Sequence, residues 1–404
     1  MERRTFLHML GSAALFAGCA GTETLPDGRG LVDTPEKRAH YLTSLLDEIS
    51  ALGPRPVGSP AYLKGTGILK REMERSLPVV ELDPFTFERW IPGEEQEMMI
   101  GGTRIETYLS HGTSGTPPEG ITGILKPVEE GKLKFTVEDG SSGDILAYIS
   151  NRYDLAVPLP FYSHDMKLKS LPVFDVGKVD LPMLEKATAD ETPVRLKATA
   201  EFFPGTETAN VVGRIPGVSD DEILFIAHYD TVYNTVGAND NTASVIVMLM
   251  IAHALSGRRL PMTLTFLATD GEEYDKLGAI NYADRRRREG TFGNIRYLVN
   301  FDSLTWGRDL LISSRDADLH AMIAAIDRDL DLPGTPDLRD ADGFALDGRP
   351  FRDEGIQAMY VNSTGFGNDV VWHRPEDIPE SVPAECAELG FRVFSEYAMR
   401  IMAL

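Results

Sequence analysis

The chain has 404 residues, of which 42% are hydrophobic and 25% are charged, a composition typical of a soluble globular protein and not of a disordered or fibrous one. One hydrophobic core rarely serves a chain of this length, so two domains are expected. The formal net charge of −22 argues against a nucleic-acid partner, because the phosphate backbone would be repelled. The same charge suits a site that collects cations.

The first residues have the features of an export signal. Arg3 and Arg4 precede an apolar run over residues 6–16, and small residues lead from that run to Cys19. The run is too short to span a bilayer. The arginine pair resembles a twin-arginine signal, and the four residues that end at Cys19 resemble a bacterial lipobox with Phe in place of Leu. We predict an exported cell-envelope protein anchored to the membrane by a lipid on Cys19, with a plain cleaved signal as the alternative.

Cysteine usage restricts the kinds of metal site that the chain can hold. Cys19 and Cys386 are its only cysteines, and lipidation of the first would leave one thiol in the mature protein. One thiol forms neither an internal disulfide nor a thiolate cluster. Any bound metal must therefore be held by histidine and carboxylate side chains.

The pattern of strands and helices divides the chain into four parts. Residues 1–19 are interpreted as the signal and residues 20–34 as a polar tether. Residues 35–93 and 201–404 form the main α/β domain, in which alternating strands and helices predict a mainly parallel mixed sheet sandwiched by helices. Residues 94–200 consist of short β-like pieces between Gly/Pro loops, which predicts a β-rich inserted domain.

Candidate metal ligands follow the ends of predicted strands. Strands at 223–227, 264–268 and 297–301 each run into acidic or imidazole side chains. A fourth candidate precedes the nearly all-apolar stretch 243–255, which predicts a buried helix, and a fifth lies near the end of the sheet sequence. In an open α/β sheet the carboxyl ends of parallel strands lie along one edge, where ligands bind. The candidates are His228, Asp240, Glu273, Asp302 and His373.

These side chains suit zinc, which accepts histidine and carboxylate ligands where no thiolate is available. Five protein ligands suit two ions about 3.5–4 Å apart that share one carboxylate. Asp230, two residues beyond His228, is well placed to hold the other imidazole nitrogen. Of the adjacent pair Glu272 and Glu273, one can bind metal while the other transfers a proton. The pattern thus predicts a two-metal site in which one glutamate of the pair transfers a proton and Asp230 supports catalysis by holding His228.

Each of these signals is weak when it stands alone. A single histidine after a strand is usually a structural residue. Gly-Glu-Glu also occurs at 93–95, where we interpret it as the solvated surface of a loop. The arginine run at 285–288 is interpreted as a solvated helix end and not as a nucleic-acid patch. The specificity comes from the ordered combination and its strand contexts.

Five short motifs occur in a fixed order along the second half of the chain. They are Ala-His-Tyr-Asp at 227–230, Gly-Ala-Asn-Asp-Asn at 237–241, Asp-Gly-Glu-Glu at 270–273, Asn-Phe-Asp at 300–302 and Trp-His-Arg-Pro-Glu-Asp at 372–377. In this order they resemble metallopeptidase family 28 of clan MH, the zinc aminopeptidases, as does Gly-Pro-Arg-Pro-Val-Gly-Ser at 53–59. The resemblance covers the chain from about residue 35 onward and implies the zinc exopeptidase fold. Residues 94–200 resemble the protease-associated domain that several members carry.

The resemblance also implies a role for each matching ligand. One zinc would bind His228 and Asp302. A second zinc would bind Glu273 and His373, and Asp240 would bridge the two ions. Two zinc ions per chain are therefore expected.

The activity implied by the resemblance is removal of N-terminal residues from peptides, which would be the substrates. Glu272 would be the general base that takes a proton from the attacking water and passes it to the leaving amine. The peptide bond between Asp240 and Asn241 would be strained, in the cis form.

Three positions depart from the family pattern. Gly348 stands where members usually have His, and Ser244 lies where a small residue followed by Gly is common. Trp372 precedes His373, as it does in the glutaminyl cyclases built on the same fold. A single-zinc glutaminyl cyclase is therefore the alternative enzyme, although the short segment 274–278 after the glutamate pair argues against it.

A third hypothesis is a non-catalytic envelope binding protein that kept the fold and lost turnover. The intact ligand set and Glu272 argue against that loss. The wall of the pocket for the cleaved residue is expected to include Phe344, Phe366 and Trp372.

Overall fold

The computed structural model describes residues 27–128, 133–152, 154–162, 170–341, 346–352, 354–364 and 371–403. The strands, in chain order, are β1 (Val79–Ile100), β2 (Thr103–Ile105), β3 (Thr107–Leu109), β4 (Ile121–Pro127), β5 (Leu133–Glu138), β6 (Ile145–Ser150), β7 (Val173–Val176), β8 (Val194–Ile215), β9 (Glu222–His228), β10 (Thr263–Thr269), β11 (Ile295–Phe301), β12 (Asp309–Ser314), β13 (Asp337–Asp340) and β14 (Gln357–Thr364). The helices are α1 (Pro35–Ser50), α2 (Pro60–Glu74), α3 (Leu181–Ala189), α4 (Ser244–Leu255), α5 (Leu277–Arg288), α6 (Ala317–Leu330), α7 (Arg349–Arg352) and α8 (Ala384–Ile401).

The export signal predicted at residues 1–19, with its lipidation site Cys19, lies outside the described residues. Within the described ranges no helix is long and apolar enough to cross a membrane.

The first two helices begin at capping residues that the sequence makes recognisable. Thr34 precedes Pro35, and its hydroxyl accepts the N–H of Lys37 at 3.3 Å. Ser59 precedes Pro60, and its hydroxyl accepts the N–H of Tyr62 at 3.0 Å. A side-chain acceptor followed by Pro satisfies the free N–H groups of a first helical turn. Both helices therefore begin where a capping residue stands before Pro.

The main sheet is mixed, with parallel strands at its centre. Its order is β13-β12-β14-β11-β9-β10-β8. Strands β14, β11, β9 and β10 run parallel to one another. Strands β12 and β8 join β14 and β10, respectively, in the antiparallel sense. The predicted α/β fold with a mixed sheet is confirmed. The carboxyl ends of β9, β10 and β11 consequently lie side by side.

Two strands of 22 residues connect the main sheet to the inserted segment, our name for residues 94–200. Strands β1 and β8 pair in the antiparallel sense over their whole length, with register shifts between Phe87 and Arg89 and between Pro92 and Gln96. Their outer halves continue, through β4, into a smaller sheet of β3 to β7.

The second register shift holds the Gly-Glu-Glu copy at 93–95. The prediction of a loop there is wrong, because these residues belong to β1 and form its irregular part. The prediction of a solvated surface is confirmed, since Glu94 and Glu95 are exposed and Glu95 pairs with Lys197 at 2.6 Å. A bulge accommodates such residues without ending a strand.

Helix α4 is buried under the main sheet, as its sequence predicts. Every residue of α4 except Ala254 is buried. The helix starts beside the turn that contains Asp240 and ends before Ser256, whose hydroxyl accepts the N–H of Gly28 at 2.7 Å. The chain therefore enters the described part of the fold at the end of α4 that is remote from Asp240.

Hydrophobic side chains form a large cluster around α4 and a second one in the inserted segment. The second cluster includes Trp90, Leu109 and Phe174, and Tyr274 of the main domain packs in the same cluster. Apolar contact thus joins the two parts of the chain close to the glutamate pair at 272–273.

The arginine run at the end of α5 is only partly solvated. The prediction of a solvated helix end at residues 285–288 is wrong for Arg286, which is buried. Arg286 is 4% exposed and lies 2.7 Å from the carboxylate of Glu222, which begins β9. A buried guanidinium needs such a partner, because its desolvation is costly. Arg287 and Arg288 are exposed, as predicted.

Candidate metal centre

The five predicted ligands lie together at the carboxyl edge of the main sheet. The Nε2 atom of His228, at the end of β9, is 3.4 Å from Oδ1 of Asp240 and 3.8 Å from Oδ2 of Asp302. The Nε2 atom of His373 is 2.9 Å from Oε2 of Glu273 and 3.6 Å from Oδ2 of Asp240. The two oxygens of Asp240 therefore face two different imidazoles.

The residues present fit a metal ion. Ligand atoms of His228, Asp240 and Glu273 all lie within 4.8 Å of one another. All five residues are at most 9% exposed. Oδ1 of Asp240 is buried and makes no hydrogen bond, although a buried carboxylate oxygen normally has a partner. A cation between these groups would satisfy that oxygen.

The carboxylates crowd together strongly enough to hold protons in the absence of a cation. Burial raises the pKa of Glu272 well above its usual range. Burial, followed by the charge of Asp240, raises the pKa of Asp302 to about 8. Burial lowers the pKa of His373, but the charge of Glu273 outweighs it and brings the value to about 9. Such shifts are typical of a site that compensates its charges with a bound cation.

Backbone carbonyl oxygens orient both imidazoles. Nδ1 of His228 is 3.2 Å from the carbonyl oxygen of Asp230 and 3.5 Å from its carboxylate. Nδ1 of His373 is 2.9 Å from the carbonyl oxygen of Pro160. Because a carbonyl only accepts, these contacts favour a proton on Nδ1, so that Nε2 of the neutral ring would be free to bind a metal ion held among the carboxylates. No sequence pattern indicates that Pro160 takes part.

The carboxylate of Asp230 orders the turn that carries the glutamate pair. Its two oxygens accept the N–H groups of Glu272 and Glu273, each at 3.2 Å. Asp230 thus contacts His228 mainly through its backbone carbonyl oxygen. Its side chain accepts hydrogen bonds from the turn that follows β10. Glu272 is partly exposed, and Glu273 is buried.

The turn before α4 contains a cis peptide bond between Asp240 and Asn241, as the family resemblance implied. Asp377 supports this turn, since its carboxylate accepts the N–H groups of Asn239 at 2.8 Å and Asp240 at 3.0 Å. The side-chain oxygen of Asn241 in turn accepts the N–H of Ser303, next to Asp302. The sequence placed Asp377 only at the end of a motif and gave it no role.

Arg55 connects the early Gly-Pro-Arg motif to the same loops. Its buried guanidinium donates to the carbonyl oxygens of Tyr229 at 3.1 Å and Val236 at 2.9 Å, and to the hydroxyl of Thr242 at 2.6 Å. These residues flank the two ligands His228 and Asp240 along the chain. The resemblance identified the motif but not this contact.

Asp347 is a further buried carboxylate near the centre that the sequence did not single out. One of its oxygens accepts a hydrogen bond from the hydroxyl of Thr269, at the end of β10, and the other makes none. Burial raises the pKa of Asp347 to about 6, and its charge raises the pKa values of Glu272 and Asp302. Its position beside Gly348, at a departure from the family pattern, was the available signal.

The position of Gly348 leaves no room for the histidine that is usual in the family. Its N–H donates to the side chain of Asn300 at 2.6 Å. A Cβ atom added to Gly348 would lie 2.7 Å from the ring of Tyr360 and 3.0 Å from Leu298. The space that an imidazole at this position would need is therefore filled by the side chains of Tyr360 and Leu298.

Of the residues expected in the pocket wall, Phe344 and Phe366 lie outside the described residues. The Trp372 ring lies 4.9 Å from the ring of His373 and 5.6 Å from that of Phe161, between ring centroids. An aromatic surface therefore adjoins one of the candidate ligands.

Sequence comparison connects this geometry with a known family. The family model described as "Peptidase family M28" matches residues 210–397, a range that includes all five candidate ligands. The chain carries a peptidase family M28 domain. The predicted family is thereby confirmed.

Individual relatives of the M28 domain are distant in sequence. Aminopeptidase YwaD of Bacillus subtilis is 23% identical over 87% of this chain and 82% of its own length. The probable lipoprotein aminopeptidase LpqL of Mycobacterium tuberculosis is 25% identical over 71% of this chain and 62% of its own length.

Solved structures share the fold of the M28 domain and the inserted segment. The zinc aminopeptidase BSAP of Bacillus subtilis has a TM-score of 0.70 at 21% identity, covering 90% of this chain and 95% of its own. A glutaminyl cyclase from an Acidobacteriales bacterium has a TM-score of 0.54 at 15% identity, covering 96% of this chain and 99% of its own. The fold is thus closer to the aminopeptidase than to the cyclase.

Proposed function

We propose that this chain is a zinc-dependent aminopeptidase that hydrolyses the first peptide bond of peptide substrates. The observation that carries the proposal is the position of Asp240, whose two oxygens face His228 and His373 separately. The family match and the relatives named as aminopeptidases support it.

In this proposal the chain would hold two zinc ions, with Asp240 as a ligand of both. His228 and Asp302 would be the further ligands of one ion, and Glu273 and His373 those of the other. Zinc suits a set of imidazoles and carboxylates without thiolate. When bound, it supplies a Lewis acid that activates water and polarises the scissile carbonyl.

Glu272 is the proposed general base. It is partly exposed, and burial raises its pKa, so that it can take a proton from the attacking water and hold it long enough to deliver it to the leaving amine. The Asp230 carboxylate keeps the backbone of Glu272 in place through the N–H contact at 3.2 Å. A substrate with a free amine would find acidic groups here, of which Asp302 and Glu272 are the proposed partners.

We further propose that the protein lies in the cell envelope and that it consists of two domains. A lipid on Cys19 would hold the protein at the membrane, a hypothesis favoured by the N-terminal sequence and by the relative named as a lipoprotein aminopeptidase. Residues 35–93 and 201–404 would be the peptidase domain, and residues 94–200 a protease-associated-like insertion.

The test combines metal content with turnover on one purified sample that lacks residues 1–19. The substrates are a panel of aminoacyl anilides, N-acetylated counterparts of the same peptides, and a peptide that begins with glutamine. We expect about two zinc ions per chain, release of amines from unblocked substrates only, and loss of this release in Glu272→Gln, whose metal content should not change.

Each alternative gives a different result in the same experiment. One zinc per chain with ammonia released from the glutaminyl peptide would move the assignment to a glutaminyl cyclase, which the Trp372–His373 pair keeps as second candidate. The absence of both bound metal and turnover would indicate a binding protein.

A further inference from the structure

The inserted segment reaches the metal centre through residues 158–162, which we call the strap. Within the strap, the Pro160 carbonyl oxygen lies 2.9 Å from Nδ1 of His373, across 213 positions of sequence. The next residue, Phe161, places its ring 5.0 Å from the imidazole of His373, between centroids, at an angle of 50°. One hydrogen bond and one ring contact therefore act on the same ligand.

We propose that the strap is a positioning element for the second metal: it fixes the ring of His373 so that Nε2 presents its lone pair to the ion shared with Glu273. This inference rests on the proposed two-metal function. A carbonyl oxygen accepts only a protonated Nδ1, which determines the tautomer, and the Phe161 ring restricts rotation of the imidazole. The inserted segment would then be part of the catalytic apparatus and not only a cover.

The strap is itself held by the inserted segment. The N–H of Leu159 donates to the carboxylate of Asp175 at 3.2 Å, and the N–H of His111 donates to the carbonyl oxygen of Phe161 at 2.7 Å. Asp175 is 4% exposed and also accepts the hydroxyl of Ser150 at 2.6 Å. These contacts fix the backbone from which the Pro160 carbonyl projects.

A second attachment comes from the main domain. Arg374, the residue after the ligand, donates to the carbonyl oxygen of Pro158 at 3.3 Å and to the carboxylate of Glu106 at 2.7 Å. Both partners belong to the inserted segment, and Pro158 belongs to the strap, so Arg374 adds a second link between the ligand loop and the strap beside the His373–Pro160 bond. Arg374 offers a way to disturb the strap without changing any strap residue.

The other imidazole provides an internal comparison. Nδ1 of His228 faces the carbonyl oxygen of Asp230, only two residues away and within the main domain. Damage to the strap should consequently affect the ion held by Glu273 and His373 and spare the ion held by His228 and Asp302. A general loss of structure would weaken both sites together.

The experiment is a titration of metal-free full-length protein with Co²⁺, followed by its visible absorption and by bound metal per chain. The variants are Phe161→Ala, the milder Phe161→Leu, which keeps an apolar side chain, and Arg374→Met. The control is Phe135→Ala, which removes a buried ring from β5 in the core of the same segment. Melting temperatures are measured for every variant.

We expect two ions per chain in the wild type. In Phe161→Ala and Arg374→Met one of the two affinities should fall by about 10-fold or more, the usual effect of losing an outer partner of a ligating histidine. The other affinity should stay within about 2-fold, and Phe161→Leu should lie between. Phe135→Ala should lower the melting temperature without separating the two sites.

Three outcomes would overturn the inference. Unchanged affinities in Phe161→Ala and Arg374→Met, with two ions and full turnover in the wild type, would remove the role of the strap and leave the proposed function intact. An equal loss of affinity at both metal sites, in proportion to the fall in melting temperature, would show that the strap contributes only to the general packing of the protein. A wild type that binds fewer than two ions would refute the two-metal proposal itself.

Discussion

The carboxylate of Asp377 accepts the backbone N–H of Asp240 at 3.0 Å, with its other oxygen on the preceding N–H at 2.8 Å. The backbone of Asp240, the proposed bridging ligand, is thus held by a side chain four positions after the candidate ligand His373. In Asp377→Asn one acceptor would be exchanged for an NH₂ group that faces an N–H. We expect metal affinity to fall about 10–100-fold and unfolding free energy to fall by about 1–3 kcal/mol.

Metal titration and denaturant unfolding check this expectation. Glu376→Gln is the matched control, because it makes the same change one position away at a side chain that is 62% exposed. Equal behaviour of the two variants would contradict the role assigned to Asp377.

Arg55→Lys should be strongly destabilising although it keeps the charge. The guanidinium has several donors and serves Tyr229, Val236 and Thr242 together, whereas an ammonium on a flexible stem cannot reach all three. Each buried acceptor left without a partner costs about 1–3 kcal/mol, so the loss should reach at least about 2 kcal/mol. Unfolding by urea measures it, and Arg104→Lys, at an exposed arginine, should change stability by less than about 0.5 kcal/mol.

The metal-free protein should lose stability as the pH rises from 6 to 9. Burial and the charge of Asp240 raise the pKa of Asp302 to about 8, so the folded state keeps a proton that the unfolded chain gives up near pH 4. His373 has the same sign: although burial lowers its pKa, the charge of Glu273 raises it to about 9. Its contribution is complete below about pH 6.5 and disappears as the pH passes 9.

Melting temperatures of metal-free and zinc-loaded protein at four pH values test this dependence. Since metal ligands must be deprotonated, zinc should stabilise the protein more at pH 8 than at pH 6. A metal-free melting temperature that does not fall between pH 6 and pH 9 would contradict the expectation, because the folded state would then hold no more protons than the unfolded chain.

Gly348→Ala should destabilise the protein despite its small size. The new Cβ atom would stand 2.7 Å from the ring of Tyr360, and overpacking of this kind costs about 1–3 kcal/mol. Combination with Tyr360→Leu should recover part of the loss, because the closest neighbour is removed. Gly30→Ala, which meets open space, is the control that should be neutral in the same thermal unfolding measurement.

The sequence was informative wherever function follows from a strand end. His228, Glu273 and Asp302 follow buried strands whose apolar residues are easy to recognise, and parallel pairing brings those ends to one edge. Asp240 could be placed because it precedes a helix whose apolar character reveals its burial. Local pattern and sheet topology together therefore predict where four of the five candidate ligands meet.

The sequence was uninformative where a contact depends on packing between distant segments. No local pattern indicates that the Pro160 carbonyl meets His373, because every residue has a carbonyl and the partners are 213 positions apart. Asp347 looks like any loop carboxylate until its burial is known. The same reason explains the wrong prediction for Arg286, whose partner Glu222 lies on another element.

The entry of the chain beside Ser256 sets which end of the main domain lies nearer, along the chain, to the proposed anchor on Cys19. Helix α4 has 12 residues, so it separates that entry from the turn of Asp240 by about 18 Å. A lipid on Cys19 would hold the Ser256 end toward the bilayer and leave the carboxyl edge of the sheet pointing into the aqueous compartment. The proposed zinc centre would then be open to peptides that diffuse in that compartment.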